Sequence, residues 1–460
     1  MNKSLLLLLI LLIFSCATSE KKSTTVHFAG EIVNPTSEYV VLYKGDTALD
    51  SVPLDGNNRF LMQLDSVEEG LYNFYHYPEF QYVYLENGDS LQIRLNTLYF
   101  DESLVFSGEG EEVNNFLVEM FLAHEKEEEL VYDLYKLEPE DFCGRIDSLG
   151  KAKTAQLEEI HEETPLSEKA YEIAKAGIDY NTYIYKEPYP YYHKKKMGEQ
   201  SMHDLPDDFY AYHQKVNFEN PDFTYLRPYY KFMKYHLGNL SYINCKRDCM
   251  TPDNKMVKNQ LHFNRHQLSL IDSLVKQKVL RDNLFRHVAF EYLLKHDSEE
   301  NKELFIKEFH TLSGNNRHID EIDRLYGDIK NLQPDKEIPE VVVFDVEGNS
   351  ITLQELCKDG QVVLYFWSAP QKGHFVNITK RINDLKTQYP EYAFIGINLR
   401  TDLGRWKSMM DEYGLNKSEQ YWAEDYQNVA HKLVVYDPFK SIIAKDGLIV
   451  DAFANVYSSF

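Results

Sequence analysis

Cysteine and histidine side chains are the residues through which this chain could carry out redox chemistry or bind a metal ion. Of the five cysteines, Cys245 and Cys249 are separated by three residues, whereas Cys143 and Cys357 stand alone. The close pair could be a structural disulfide, two free thiols or a redox-active pair. A disulfide across so short a loop would constrain little of the unfolded chain and would therefore stabilise the fold only slightly.

The histidines do not form a recognisable metal-binding motif. His262 and His266 are spaced i, i+4 in a helical stretch, but no third ligand is evident near them, and His374 is alone. A structural zinc ion needs four ligands and a catalytic one needs three. The sequence also lacks a Ser-His-Asp signature and a glycine-rich phosphate loop. We therefore predict no metal and no cofactor.

The segment 366–374 has the setting of a redox site without its sulfur. A buried-strand pattern precedes it and a helical pattern follows it. Disulfide exchange needs a thiolate that attacks sulfur, and a helix amino terminus lowers the pKa of a thiol placed there. Gln371 has no ionisable nucleophile, His374 cannot form a sulfur bond, and no cysteine lies between residues 366 and 460. We therefore predict no catalytic residue in this segment.

From residue 339 onward, the order of motifs resembles the TlpA/ResA and alkyl-hydroperoxide-reductase branch of the thioredoxin superfamily. The resemblance covers about 125 residues and is carried by Pro339 and the segments 348–353, 364–367, 395–398, 436–438 and 441–447. It implies an α/β thioredoxin-like fold for residues 333–460, in which Gln371 and His374 occupy the positions of the family's Cys-x-x-Cys. It also implies that Pro438 is a cis-proline facing the active-site loop.

The region 24–108 shows a different pattern, with apolar residues alternating along short runs. Turn signals rich in Asn, Gly, Asp and Pro separate these runs, which predicts an antiparallel sandwich or barrel. The pieces 49–52, 56–60 and 85–90 resemble a domain of unknown function that precedes thioredoxin-like domains in Bacteroidetes-type lipoproteins. That resemblance implies a small all-β sandwich without catalytic residues.

The first residues resemble a bacterial lipoprotein signal. Residues 1–15 contain a lysine and then an apolar run, which is too short to span a bilayer because a span needs about 20 residues. The resemblance to a lipobox implies cleavage before Cys16 and acylation of that residue, and two or more acyl chains anchor a protein stably. Residues 16–23 would be a polar tether. We expect a cell-envelope protein, lipid-anchored in the inner or outer membrane and facing the periplasm, unless the segment is an ordinary or uncleaved secretory signal.

The middle of the chain, residues 109–332, changes to a helical period. Residues 185–192 contain Pro188 and Pro190, so we predict a tyrosine-rich loop there. Residues 331–339 indicate a linker. The fold class that follows is multidomain: an all-β sandwich, then an α-helical region, then an α/β thioredoxin-like fold.

Composition limits the possible partners. A chain of 460 residues is long enough for two or three domains, and a hydrophobic fraction of 43% supports packed cores. The net charge of −24 excludes the basic face on which nucleic-acid binding depends. The partners we expect are the lipid bilayer, through the acylated Cys16 that the lipobox resemblance implies, and an unknown peptide or protein.

These observations favour a membrane-anchored binding protein with a degenerate thioredoxin-like domain. The predicted binding groove consists of Trp367, Pro370, Gln371, His374 and Pro438. The alternative is a thiol-disulfide oxidoreductase of the TlpA/ResA type that acts through Cys245 and Cys249. In a third interpretation, the helical region carries the function and the thioredoxin-like domain is a structural cap.

Overall fold

A computed structural model describes residues 24–248, 260–295 and 297–460. The signal segment, Cys16 with its tether, and Cys249 lie outside these residues. The described chain belongs to two compact units, Met1–Asn239 and Leu240–Phe460. Every helix in the described part is too short or too polar to cross a lipid bilayer.

The strands and helices follow one another in a β, then α, then α/β order. The strands are β1 (Val26–Val33), β2 (Tyr39–Lys44), β3 (Thr47–Pro53), β4 (Arg59–Leu64), β5 (Gly70–His76), β6 (Glu79–Leu85), β7 (Ser90–Asn96), β8 (Val105–Glu109), β9 (Val342–Phe344), β10 (Ser350–Thr352), β11 (Gln361–Trp367), β12 (Tyr392–Asn398), β13 (Gln420–Trp422), β14 (Lys440–Lys445) and β15 (Leu448–Asn455). The helices are α1 (Phe100–Ser103), α2 (Glu111–Leu134), α3 (Pro139–Glu163), α4 (Glu168–Lys186), α5 (Tyr189–Met197), α6 (Arg227–Asp248), α7 (Gln260–Leu274), α8 (Lys278–Leu293), α9 (Glu299–Ser313), α10 (Ile319–Asn331), α11 (Leu353–Leu356), α12 (Lys372–Gln388), α13 (Leu403–Glu412) and α14 (Tyr426–Lys432).

The amino-terminal strands form two four-stranded sheets around one core. Their orders are β4-β1-β7-β8 and β3-β2-β5-β6. Phe28 on β1 and Phe74 on β5 meet with ring centroids 5.6 Å apart, and Phe106 on β8 lies against the same Phe74 ring. Alternation along β1, β4 and β7 places one face of each strand in this core. The region is therefore held together by burial of apolar side chains from both sheets.

The segment that the prolines predicted to be a loop is mostly helical. Helix α4 ends at Lys186, and α5 begins at Tyr189 with Pro190 in its first turn. Proline is tolerated there because the first backbone N–H groups of a helix have no partner within the helix. Tyr189 is buried and its hydroxyl donates a hydrogen bond to the carbonyl of Leu137 at 2.8 Å. These tyrosines are therefore used for packing.

The carboxy-terminal unit contains a seven-stranded sheet of order β10-β9-β13-β12-β11-β14-β15. Strands β11, β12 and β13 are parallel, and β14 and β15 continue the sheet as an antiparallel hairpin. Helix α12 connects β11 to β12, and α13 lies between β12 and β13. Val363, Tyr365 and Trp367, on one face of β11, share a core with residues of α12 and α13.

The predicted linker pairs with the sheet. The N–H of Asp335 donates to the carbonyl of Ile449 at 2.9 Å, and the N–H of Ile449 donates to the carbonyl of Lys336 at 2.8 Å. The N–H of Ile338 donates to the carbonyl of Gly447. The segment predicted to be a linker therefore supplies hydrogen-bond partners to the edge of β15.

Candidate functional site

The segment 366–374 lies at the carboxyl end of β11, where the chain turns into α12. Strand β11 is buried along nearly its whole length, whereas Gln371 and Lys372 are exposed. Gln371 is the residue before the first turn of α12, and its side chain does not cap the helix. The geometry thus places a neutral amide where a thiol at this helix start would be activated.

His374 faces back toward the strand. Its Nε2 lies 3.0 Å from the carbonyl oxygen of Phe366, so Nε2 carries the proton and donates it. Its Nδ1 is buried and has no hydrogen-bond partner among the described residues. The ring meets that of Phe439 edge-on, with centroids 5.2 Å apart. His374 is therefore fixed by the backbone of β11 and by an aromatic neighbour.

Trp367 is part of the core, with 3% of its surface exposed. Its Nε1 donates to Oε1 of Gln420 at 3.0 Å, and Nε2 of Gln420 donates to the hydroxyl of Tyr365 at 2.7 Å. Gly396 leaves room for this network, since a Cβ there would lie 2.2 Å from Oε1 of Gln420. Burial raises the pKa of Tyr365 to about 12. The indole supports the floor of the site and is not available to a ligand from solvent.

A small cleft opens beside this network. Its cavity volume is about 60 Å³, which suits a few water molecules or the tip of one side chain. The cleft is lined by Phe366, Trp367, Ser368, Gln371, Leu399, Arg400, Ala430, Val435, Tyr436 and Pro438. Three residues of the predicted groove, Trp367, Gln371 and Pro438, therefore line one cleft. Pro370 and His374 do not line it.

Pro438 differs from the expectation of a cis-proline. Within the described residues the cis peptide bond is Tyr77–Pro78, so the bond before Pro438 is trans. The N–H of Lys440 donates to the carbonyl of Asp437 at 3.1 Å, which makes Pro438 the second residue of a β-turn. That position favours a trans proline with its fixed φ. The resemblance was therefore misleading at this residue, because the local turn decides the isomer.

The rim of the cleft carries exposed aromatic and cationic side chains that the sequence analysis did not single out. Tyr436 is 43% exposed and Phe439 is 44% exposed. Arg400 is exposed with φ +53° and has its guanidinium 5.6 Å from the ring centre of Tyr426. Tyr436 lies in the segment 436–438 that carries the resemblance, whereas Phe439 and Arg400 belong to no motif. The three residues come from the end of β12 and the start of β14 and meet only in the folded chain.

The thiols of the described residues are poorly placed for exchange at this cleft. Cys357 is buried, and burial raises the pKa of its thiol to about 12. Cys143, in α3, is half-buried, which raises the pKa of its thiol as well. Cys245 is fully buried near the end of α6. The pairing of Cys245 with Cys249 stays a prediction, because Cys249 lies outside the described residues.

Folding brings a third ligand to the two histidines of α7. One ligand atom from each of Cys245, His262 and His266 lies within 4.8 Å of the others. The expectation that no third ligand is near these histidines was wrong, because Cys245 comes from the preceding helix. The signal that could have found it is the spacing of Cys245, Cys249, His262 and His266, which is C-x3-C-x12-H-x3-H.

A second cluster, of one carboxylate and two imidazoles, lies in the amino-terminal unit. Its side chains are hydrogen-bonded to one another. The fully buried carboxylate of Glu187 accepts from Nε2 of His213 at 2.7 Å and lies 3.2 Å from Nδ1 of His236. Burial by itself would raise the pKa of Glu187, but the hydrogen bonds from the two histidines hold it below its usual value. Asn239 also donates to this carboxylate and to the backbone carbonyl of Glu187. The cluster is complete as a polar network.

A larger cleft in the amino-terminal unit is shaped by an arginine. Its volume is about 240 Å³, and Arg227 and Lys231 are among its lining residues. The guanidinium of Arg227 lies 4.6 Å from the ring centre of Phe80, 4.7 Å from that of Tyr82 and 4.9 Å from that of Phe121. Stacking of this kind stabilises a partly desolvated cation. Arg227 thus acts as packing between aromatic rings.

Comparison with known proteins gives structural neighbours for one part of the chain. No family model matches it, and no curated protein matches it significantly. The solved neighbours are thioredoxin-fold domains. One is a provisionally assigned thiol-disulfide oxidoreductase from Bacteroides vulgatus, with 23% identity and a TM-score of 0.25, covering 28% of this chain and 92% of the neighbour.

Two other neighbours are similar to the same extent. The thioredoxin domain of a thiol-disulfide oxidoreductase from Bacteroides vulgatus is 20% identical with a TM-score of 0.22, covering 26% of this chain and 86% of the neighbour. A secreted disulfide oxidoreductase from Mycobacterium tuberculosis is 22% identical with a TM-score of 0.21, covering 25% of this chain and 83% of the neighbour.

Proposed function

We propose that the thioredoxin-like region binds an extended peptide or protein segment at the cleft beside Gln371 and does not exchange disulfides. The observation that carries the proposal is the amide of Gln371 at the start of α12, in a region whose single cysteine, Cys357, is buried. A thiol with a pKa of about 12 supplies almost no thiolate at neutral pH. Retention of the sheet without its nucleophile favours a binding role over catalysis.

The rim supplies the chemistry for recognition. Exposed aromatic side chains combine large contact area with few rotatable bonds, and aromatic and arginine residues dominate the energetics of many interfaces. Tyr436, Phe439 and Arg400 provide both kinds of group around a cleft that could hold one side-chain tip. Trp367, in contrast, is committed to the core and supports the cleft from below.

Enzymatic activity separates this proposal from the oxidoreductase alternative. In an insulin-reduction assay with dithiothreitol, the full chain should not exceed the uncatalysed rate. Activity that disappears in Cys245→Ala would establish the alternative through Cys245 and Cys249. Activity that survives every cysteine substitution would also contradict the binding role, because the site would then hold an unassigned catalyst.

Peptide selection tests the binding site directly. A displayed peptide library is selected on the purified full chain and then compared on the Tyr436→Ala/Phe439→Ala variant. We expect enriched peptides to lose at least tenfold in affinity for the variant, because the rim aromatics would supply about 1.4 kcal/mol or more. Tyr39→Ala, an exposed aromatic in the amino-terminal sheet, is the matched control. Equal binding to wild type and rim variant would show that the cleft is not the binding site.

The proposal includes a lipid anchor at Cys16, which the signal-like sequence of residues 1–15 supports. Cells expressing the full chain are labelled with a radioactive or clickable fatty acid, and membranes are separated from soluble material. Wild-type protein should carry label and sediment with membranes, and Cys16→Ser should carry none. Label retained by Cys16→Ser would place acylation elsewhere.

A further inference from the structure

The ends of two consecutive helices in the carboxy-terminal unit bring together a thiol and two imidazoles. Cys245 lies in the last turn of α6 and is fully buried. His262 and His266 lie one turn apart in the first half of α7, with ring centroids 4.3 Å apart. Ligand atoms from all three side chains lie within 4.8 Å of one another. The thiol and the imidazoles thus come from two helices that follow one another in the chain.

A separate contact holds the two helices in that register. The hydroxyl of Ser241, one turn before Cys245, donates to the backbone carbonyl of Phe263 at 2.7 Å. This hydrogen bond joins α6 to the turn of α7 that carries His262 and His266, and it involves none of the three ligand side chains.

We propose that Cys245, His262 and His266 bind a divalent transition-metal ion, with zinc as the natural occupant. Zinc takes cysteine sulfur at about 2.3 Å and histidine nitrogen at about 2.0–2.1 Å, so ligand atoms around it are about 3.3–3.6 Å apart. Small side-chain rotations close the observed separation to that range. Thiolate and imidazole are poor ligands for calcium and magnesium, which prefer oxygen.

The sequence supports the same ligand set independently of the coordinates. The spacing C-x3-C-x12-H-x3-H, formed by Cys245, Cys249, His262 and His266, falls in the range of structural Cys2His2 zinc sites. Cys249 lies outside the described residues, and the site proposed rests on the other three. On binding, the thiol of Cys245 releases its proton to solvent, while both histidines bind as neutral imidazoles.

The role of such an ion is structural and goes beyond the binding function of the cleft. It joins the end of α6 to the start of α7, so the free energy of metal binding adds to the free energy of folding. A metal-bound thiolate at Cys245 is also unavailable for disulfide exchange. The oxidoreductase alternative needs Cys245 as a nucleophile. In this site Cys245 is instead a metal ligand.

Cobalt substitution tests the site in the full chain, purified without a metal-affinity tag, reduced, and stripped with a chelator. One equivalent of Co²⁺ should produce the near-ultraviolet charge-transfer band of a cobalt–thiolate bond and the visible bands of tetrahedral cobalt, and Zn²⁺ should abolish both. Cys245→Ser should reduce the intensity of the thiolate band, because it removes one thiolate ligand. His266→Asn should weaken binding by more than about tenfold, since loss of outer-shell partners alone costs ten to a hundredfold.

Two matched controls separate this site from other parts of the chain. Cys143→Ser removes a thiol in the other unit, and His213→Gln breaks the cluster around Glu187; both should retain the band. Circular dichroism checks that each variant is folded, and Zn²⁺ should raise the melting temperature of wild type but not of Cys245→Ser. The proposal is overturned if reduced wild type binds no cobalt, or if Cys245→Ser leaves both the affinity for cobalt and the intensity of the thiolate band unchanged.

Discussion

Lys440 is a buried lysine at the turn that carries Pro438. Its ammonium donates to the carbonyls of Leu433 at 2.6 Å and Val434 at 3.1 Å, and it lies 4.1 Å from the ring centre of Phe453. The pKa of this lysine is lowered to about 7, mainly by burial; the charge of Asp451 opposes the shift and that of Lys302 adds to it. The residue fixes the segment before the turn, but its charge is costly.

The free-energy cost of burying the charge of Lys440 predicts that the stability of the protein depends on pH. In the unfolded chain Lys440 keeps its proton up to about pH 10.4, whereas in the folded protein it releases it near pH 7. The unfolded state therefore binds more protons between these values, so this residue makes stability rise with pH there and fall as pH drops toward 7. From pH 7 to pH 8.5, wild type should gain on the order of 1 kcal/mol relative to Lys440→Met.

Urea unfolding of both proteins across that pH range measures the difference. Lys440→Met should be less stable overall, because the carbonyls of Leu433 and Val434 lose their donor. The pH argument fails if the two proteins show parallel pH profiles, whatever their absolute stabilities.

The contrast between Trp367 and Gln371 gives a second prediction at this scale. Trp367→Ala removes a buried ring and leaves Oε1 of Gln420 without its donor, so unfolding free energy should fall by about 3–5 kcal/mol. Gln371→Ala changes an exposed residue and should stay within about 0.5 kcal/mol of wild type. Chemical denaturation of both variants measures the two changes in unfolding free energy. Near-equal effects would mean that Trp367 is not part of the core.

At the scale of elements, the first turn of α2 is joined to the amino-terminal sheets by two adjacent asparagines. Asn114 accepts from the N–H of Tyr84 at 2.7 Å and donates to the carbonyl of Tyr84 at 2.9 Å. Asn115 makes the same pair of bonds with Phe106, at 2.9 and 3.0 Å. Each amide side chain thus makes the pair of backbone hydrogen bonds that a neighbouring strand would make. Asn114 does so with β6 and Asn115 with β8.

The two asparagines should contribute unequally to stability, because they are buried to different extents. Asn114 is 1% exposed, so Asn114→Leu leaves buried backbone groups of Tyr84 without partners, and we expect a loss of about 3 kcal/mol. Asn115 is only half-buried, and water can replace part of its contacts, so Asn115→Leu should cost less than half as much. Thermal or urea unfolding of the two variants measures which substitution lowers the free energy of unfolding more. The reverse order would show that the helix is held mainly by its apolar face.

At the scale of the whole molecule, charge is the dominant property. The chain carries 73 acidic and 49 basic side chains, giving a net charge of −24. Self-repulsion of this size destabilises a compact state and is screened by salt. Raising sodium chloride from about 10 mM to about 150 mM should therefore raise the melting temperature by a few degrees, as measured by calorimetry. A fall in melting temperature would mean that favourable ion pairs dominate over the net charge.

The sequence by itself determined the order of the regions and the chemistry missing from the site. Alternating apolar residues predicted an all-β region over residues 24–108, and the alternation is visible in β1, β4 and β7 because one face of each strand is buried. Strand β5 is buried almost throughout and shows no alternation, so this pattern does not predict it. The absence of a thiol at Gln371 and His374 needed no structure, because a residue type either has a nucleophilic sulfur or lacks one.

Tertiary structure decided everything that depends on residues distant in the chain. It placed Trp367 in the core and Tyr436 and Phe439 at the rim of the cleft. All three residues are aromatic, so residue type alone does not predict which of them is buried. Tertiary structure also brought Cys245 to the histidines of α7. The physical reason is that burial and ligand geometry depend on which helices and strands pack together, which local sequence patterns do not specify.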